Sequence, residues 1–352
     1  MKKIIFSMVL SLGLLGCRAQ KVDNRALVQK DSIAEKMLIY QLDNGAWPKQ
    51  LKDNSVVNYN LPFSDALLEK IKQTGIDRAT IDNNATTREI KTLIDAYFTT
   101  NNKAYLTAAE RGIAYLLSAQ YNNGGFPQYF PNTSIYRGQI TLNDNAMVNA
   151  LTVLDMTAKG TDGFDKVSLP LRRQAQLALE KGVQCLLELQ VRTNDTLTIW
   201  AAQYDENTRQ PAQARKYEPA SLATSESVGV IRFLMQQSPS EAIKQAIESA
   251  IKWLETHDIE GYRYDTEPDA ATGKYKRQLI PDSSSVTWAR FYDLNNHKPI
   301  FGDRDNSVTY RYEDISLERQ NGYAWFGSWP EKLIQREYPK WLKKTENNNK
   351  GK

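Results

Sequence analysis

Oxygen ligands and guanidinium groups, rather than imidazoles or thiols, dominate the residues that could do chemistry in this chain. Two turns, Thr80-Ile81-Asp82-Asn83 and Ile140-Thr141-Leu142-Asn143-Asp144-Asn145, each place Asp and Asn just before a segment with helical spacing. Such oxygens suit a hard cation, Ca²⁺ above all, which takes several oxygen ligands and leaves coordination room for substrate carboxylates. An Asp or Asn at one such position is ordinarily a helix N-cap; its recurrence in two turns facing one rim would let both carboxylates share an ion. His257 and His297 are the two histidines present, so a histidine triad or zinc site is disfavoured and proton transfer falls to another side chain.

Three arginines stand in loops rich in aromatic, acidic or glycine residues. They are Arg215 in Gln213-Ala214-Arg215-Lys216-Tyr217-Glu218-Pro219, Arg290 in Trp288-Ala289-Arg290-Phe291-Tyr292-Asp293, and Arg304 in Gly302-Asp303-Arg304-Asp305. A guanidinium fork grips a carboxylate through two parallel hydrogen bonds and so fits a uronic acid. Each arginine could equally pair within the protein, Arg215 with Glu218 and the others with Asp293, Asp303 or Asp305.

The elements that must position these groups read as helices. Apolar residues recur at intervals of three and four over 26–42, 89–98, 104–119, 146–156, 171–189, 222–235 and 242–253. Thr86-Thr87-Arg88-Glu89 and Ser238-Pro239-Ser240-Glu241 have the form of capping boxes. Strand signal is confined to 308–312 and a short hairpin around 261–275. Gln41, Gln120 and Gln190 each close a helical segment ahead of a loop with an aromatic residue, Trp47, Phe126 or Trp200, at a period of roughly 70 to 80 residues. Repeated helical hairpins imply a mainly α fold, an α/α toroid whose loops collect at one rim. The aromatic residues then either plug the ends of helix pairs or offer faces for sugar stacking. Beyond Asp258 the pattern changes to long polar loops, a loop-rich C-terminal lobe.

Lys2 and Lys3, the apolar run Ile4 to Leu15, and Leu14-Leu15-Gly16-Cys17 form an export leader with a lipoprotein box. Residues 1–16 are the expected signal peptide, with Cys17 lipidated, or cleavage follows Ala19; either way the chain is exported. Cys17 and Cys185 are the two cysteines, so the mature chain has no internal disulfide, and Cys185 sits in an apolar helical pattern as an inert thiol. The formal charge of +4 is partly the leader's, which leaves a near-neutral body unsuited to nucleic acid. Residues 22–342 form the expected catalytic domain, and 343–352, rich in Lys and Asn, a disordered tail.

At these residues the chain resembles the family-10 pectate lyases. The likeness runs from Asn44-Gly45-Ala46-Trp47-Pro48-Lys49 through Gly124-Gly125-Phe126-Pro127-Gln128 and Asn143-Asp144-Asn145-Ala146-Met147 to Ala214-Arg215-Lys216-Tyr217-Glu218-Pro219 and Gly302-Asp303-Arg304. It implies an (α/α)3 toroid-like barrel, Ca²⁺ dependence, and anti β-elimination of polygalacturonate; a monomer is expected. Carried over by position, it makes Asp82, Asn83 and Asp144 the calcium ligands, Arg215 the Brønsted base, and Arg290 and Arg304 the partners of substrate carboxylates. Trp47 and Trp200 would stack on sugar. An arginine base must be neutral, so the site should disfavour its charge and the enzyme should favour alkaline conditions.

Other classes stay open on the sequence. A toroidal glycoside hydrolase would use Asp82 and Asp144 as carboxylates flanking the bond. A non-catalytic surface lipoprotein would stack glycan on Trp47, Phe126, Tyr129 and Trp200, and a helical scaffold would do neither.

Overall fold

Helix-forming periodicity carries into the structure, a computed structural model describing residues 29–268, 273 and 275–350. The leader with Cys17 lies outside these residues. The helices are α1 (Ser32–Tyr40), α2 (Asp65–Lys72), α3 (Thr87–Thr100), α4 (Lys103–Ala119), α5 (Ala146–Lys159), α6 (Leu169–Leu189), α7 (Thr224–Leu234), α8 (Glu241–Thr256), α9 (Leu317–Gly322) and α10 (Tyr338–Lys350). They form two rows. Neighbours α3, α5 and α7 make an inner row, and α1, α4, α6 and α8 pack outside it. In the inner row α5 is apolar on most of its surface, burying Ala146, Met147, Val148, Ala150, Leu151, Val153 and Leu154, while α6 and α8 keep a polar face.

The glutamine repeat ties the outer row together. Gln41 Nε2 donates to Gly45 O and across to Ala108 O in α4, both at 2.8 Å. Gln120 reaches Gly124 O and Ala178 O in α6, and Gln190 reaches Thr198 O and Ala246 O in α8. Gly45 and Gly124 hold φ near +90°, and a Cβ on either would strike the backbone carbonyl of Arg111 or Lys181, so both places require glycine.

The expectation of a mainly α, toroid-like barrel with a loop-rich C-terminal lobe is corrected by the strand content. The described residues are 48% helical and 17% strand, with several small sheets. Strands β1 (Ile140–Thr141), β2 (Arg192–Thr193), β3 (Thr196–Leu197), β4 (Gln203–Tyr204) and β5 (Leu222–Ala223) lie between helices. The C-terminal part adds β6 (Ile259–Pro268), β7 (Tyr275–Ala289), β8 (Phe291–Tyr292), β9 (Phe301–Gly302), β10 (Val308–Thr309) and β11 (Phe326–Gly327). β7 lies between β6 and β11 in an antiparallel sheet, so what reads as loops is largely a hairpin much longer than 261–275. Two-residue strands cannot show an alternating pattern, which is why periodicity misses them.

These short pairings lace the loops at one end of the helices. Pro48 bridges Ala79, Thr80 bridges Tyr129, Pro127 and Tyr204 flank Ile140, and Leu222 lies between Ala201 and Tyr292. Two local expectations also change. Thr86 has φ 66° and caps nothing; its hydroxyl bonds Trp47 N and Thr80 O instead, and the cap of α8 is Ser240. α10 runs to Lys350, through much of the tail expected to be disordered from Lys343. Cys185 is buried, and burial pushes its thiol up to about 12, in keeping with an inert role. No helix among the described residues is long and apolar enough to cross a membrane.

Candidate active site

The laced loops deliver one polar cleft ahead of the N-terminal ends of α3 and α5, where unpaired backbone N–H groups and helix dipoles favour anions. It has a volume of about 220 Å³, and its lining includes Lys49, Asp82, Asn83, Asp144, Arg215 and Glu218. The two acidic turns share a backbone form. Asn83 and Asn84 before α3, and Asp144 and Asn145 before α5, all have φ between 50° and 63°. Asn and Asp tolerate this left-handed region better than most residues, and of these four Asn83 and Asp144 line the cleft.

Asp82 is buried, with Oδ2 paired to Lys49 Nζ and Oδ1 without a hydrogen-bond partner. Asp144 stands at the mouth. Its pKa is raised, first by the crowding of the cleft walls and then by the charge of Asp82, against the pull of Arg290 and Arg215. An orphaned buried carboxylate oxygen beside a second acid burdened by the first is a donor set that fits a hard cation, with the amide oxygen of Asn83 as a neutral addition. Among the described residues no cluster of three or more His, Cys, Asp and Glu gathers for a metal. The fit therefore rests on two carboxylates with amide, water or ligand oxygens.

Arg215 is gripped by Glu218. Nε donates to Oε2 at 2.7 Å and Nη2 to Oε1, and the Tyr323 hydroxyl donates to the same Oε1 at 2.8 Å. Burial alone would push the guanidinium down, but the hydrogen bond and charge of Glu218 outweigh it and hold Arg215 well above the ordinary arginine range. The expectation that the site disfavours the charge of Arg215 is thereby corrected for this pairing.

The other predicted residues lie elsewhere. Arg290, with a side chain 12% exposed, pairs with buried Glu226 in the first turn of α7, lies over the Tyr323 ring and is not among the cleft-lining residues. Arg304 is exposed, holds Glu318 through two bonds of 2.9 Å, and also lies off the cleft wall. Neither guanidinium pairs with Asp293, Asp303 or Asp305. Trp47 and Trp200 are fully buried, and each indole Nε1 donates at 2.7 Å to a carbonyl of the preceding outer helix, Met37 O and Leu186 O. The sugar-stacking assignment for both is overturned, because neither ring has a face open to a ligand. They plug helix ends. Trp288 does the same against Leu254 O, and the pairs Ala201 N to Tyr204 OH and Ala289 N to Tyr292 OH repeat around it. Sequence reasoning missed this fourth member, although Trp200-Ala201 and Trp288-Ala289, each followed by Tyr, show it; His257 stands at the end of α8 where the other units have glutamine. It also passed over Lys49, which lies in a motif it used, and Arg137, which lies in none.

Comparison with known proteins defines the class first, that of the polysaccharide lyases. Two solved structures of a family 10 polysaccharide lyase from Cellvibrio cellulosa, one of them a mutant in complex with trigalacturonic acid, are each 36% identical to this chain with a TM-score of 0.77. Each alignment covers 86% of this chain and 90% of theirs. No curated protein sequence matches. The chain belongs to the pectic acid lyase family, whose profile it matches over residues 41–334, and it is a pectate lyase enzyme.

Proposed function

We propose that this enzyme cleaves α-1,4-polygalacturonate by Ca²⁺-dependent anti β-elimination, with Arg215 as Brønsted base. The observation that carries the reading is the unpartnered Asp82 Oδ1 beside Asp144, in a cleft shared with Arg215. The galacturonate-bound relative supports the substrate class. Asp82, Asp144 and Asn83 would hold the ion. Bound Ca²⁺ supplies positive charge to a substrate carboxylate, which makes the adjacent C5 proton more acidic. Neutral Arg215 takes that proton, the electron pair forms the C4–C5 double bond, and the C4–oxygen bond breaks, water protonating the departing oxygen. Glu218 opposes the first step by keeping Arg215 charged, so the rate should climb only toward alkaline pH.

The leader further supports export as a lipoprotein, for which a mature N-terminus at acylated Cys17 is the mass-spectrometric signature. A mature chain starting at Gln20 without lipid would overturn it. For the reaction itself, polygalacturonate incubated with the enzyme should gain ultraviolet absorbance from the unsaturated product with Ca²⁺ and not with chelator. New reducing ends without absorbance would instead support hydrolysis.

A further inference from the structure

Two arginines line the cleft, and one of them, Arg215, is already engaged by Glu218, as Arg290 and Arg304 farther off are by Glu226 and Glu318. Arg137 is different. It lines the cleft, and among the described residues no carboxylate meets its side chain. Its guanidinium lies over the ring of Tyr129, 4.7 Å from the centroid, and Tyr129 is itself packed into the wall. Stacking satisfies a face of the guanidinium and leaves its N–H edge, the edge that grips a carboxylate, without an acid.

The segment that carries Arg137 is fastened on every side. Arg137 O accepts from Gln128 N at 2.9 Å and from Tyr129 N at 3.3 Å; Tyr136 O accepts from Gln203 Nε2, and Gly138 O from the Tyr121 hydroxyl at 2.7 Å. Next to it Ile135 is held at φ 59°, a costly conformation for a β-branched residue, with its side chain largely exposed and so without packing that would account for it. The result is a guanidinium fixed before any ligand arrives, which lowers the entropy cost of binding one.

We propose that Arg137 is the carboxylate-reading residue of the cleft, binding an unesterified galacturonate of the polymer and setting the preference for de-esterified chains. This rests on the polygalacturonate reading above. A methyl ester removes the charge that a guanidinium grips, so discrimination between free and esterified polymer should depend on this side chain.

The test compares wild type, Arg137→Ala and Arg137→Lys by ultraviolet absorbance on polygalacturonate and on highly methylated pectin, with melting curves to check folding. Arg137→Ala should raise KM on polygalacturonate roughly 10- to 100-fold, the loss of one charge-assisted contact, with a smaller change in kcat. Its preference for the unesterified polymer should shrink by a similar factor. Arg137→Lys should fall between, having charge without the fork, and it decides the matter if the alanine variant does not fold. An active wild type with unchanged KM and unchanged ester preference in the variants overturns the role of Arg137 alone. A wild type that generates no absorbance on either polymer overturns the lyase reading and this inference with it.

Discussion

The side chains of Arg215 and Glu218, three residues apart, hold each other through two hydrogen bonds, and Tyr323 completes the grip on the glutamate. The pair sets the resting charge of the proposed base. Glu218 raises the pKa of Arg215 against the opposing effect of burial, so removing its charge lowers that pKa. Glu218→Gln should therefore move the rising limb of the kcat–pH profile toward lower pH. A profile that stays in place would argue that Arg215 acts in its charged form.

Asp144 carries the calcium argument. In wild type, Ca²⁺ should raise the melting temperature through its preference for the folded chain, and Asp144→Ala should lose most of that shift. The pKa of Asp144 is raised, so its proton competes with the ion sooner than at an ordinary aspartate as pH falls into the carboxylate range. The Ca²⁺ concentration for half-maximal activity should rise steeply there. Equal Ca²⁺-induced shifts in wild type and Asp144→Ala would return Asp144 to the role of a turn residue.

Arg290 should behave as a structural partner before anything else. It is nearly enclosed against Glu226 Oε1, and Glu226 Oε2 is buried without a hydrogen-bond partner, so Arg290→Ala leaves a buried carboxylate uncompensated. Breaking such a pair costs about 3–5 kcal/mol, visible as a lower midpoint in denaturant melts. A variant of wild-type stability with weakened polymer binding would restore the role of substrate clamp.

The helices were legible because apolar spacing survives in one dimension: the expected segments at 104–119 and 171–189 coincide with α4 and α6 within a few residues. The turns at Asp82 and Asp144 were legible because left-handed backbone favours Asn and Asp. What failed was whatever depends on a distant partner. An aromatic loop residue carries the same signal whether it stacks or plugs, and for Trp47 the carbonyl of Met37 decides it. Glu89 has the spacing of a capping box, yet it is buried and engaged by Arg88 and Tyr59. The two-residue strands have no period to read. Arg137 acquires its meaning from Tyr129 beneath it and from the absence of an acid beside it, and neither fact is written in its neighbours.

The most direct test of the proposed chemistry is the steady-state rate of Arg215→Ala on polygalacturonate at saturating Ca²⁺ and alkaline pH, followed by ultraviolet absorbance. If Arg215 removes the C5 proton, kcat should fall by about 10²- to 10⁴-fold, the usual reach of a general base, while KM changes little. A kcat close to wild type, with the loss confined to KM, would contradict the base assignment and make Arg215 a carboxylate clamp.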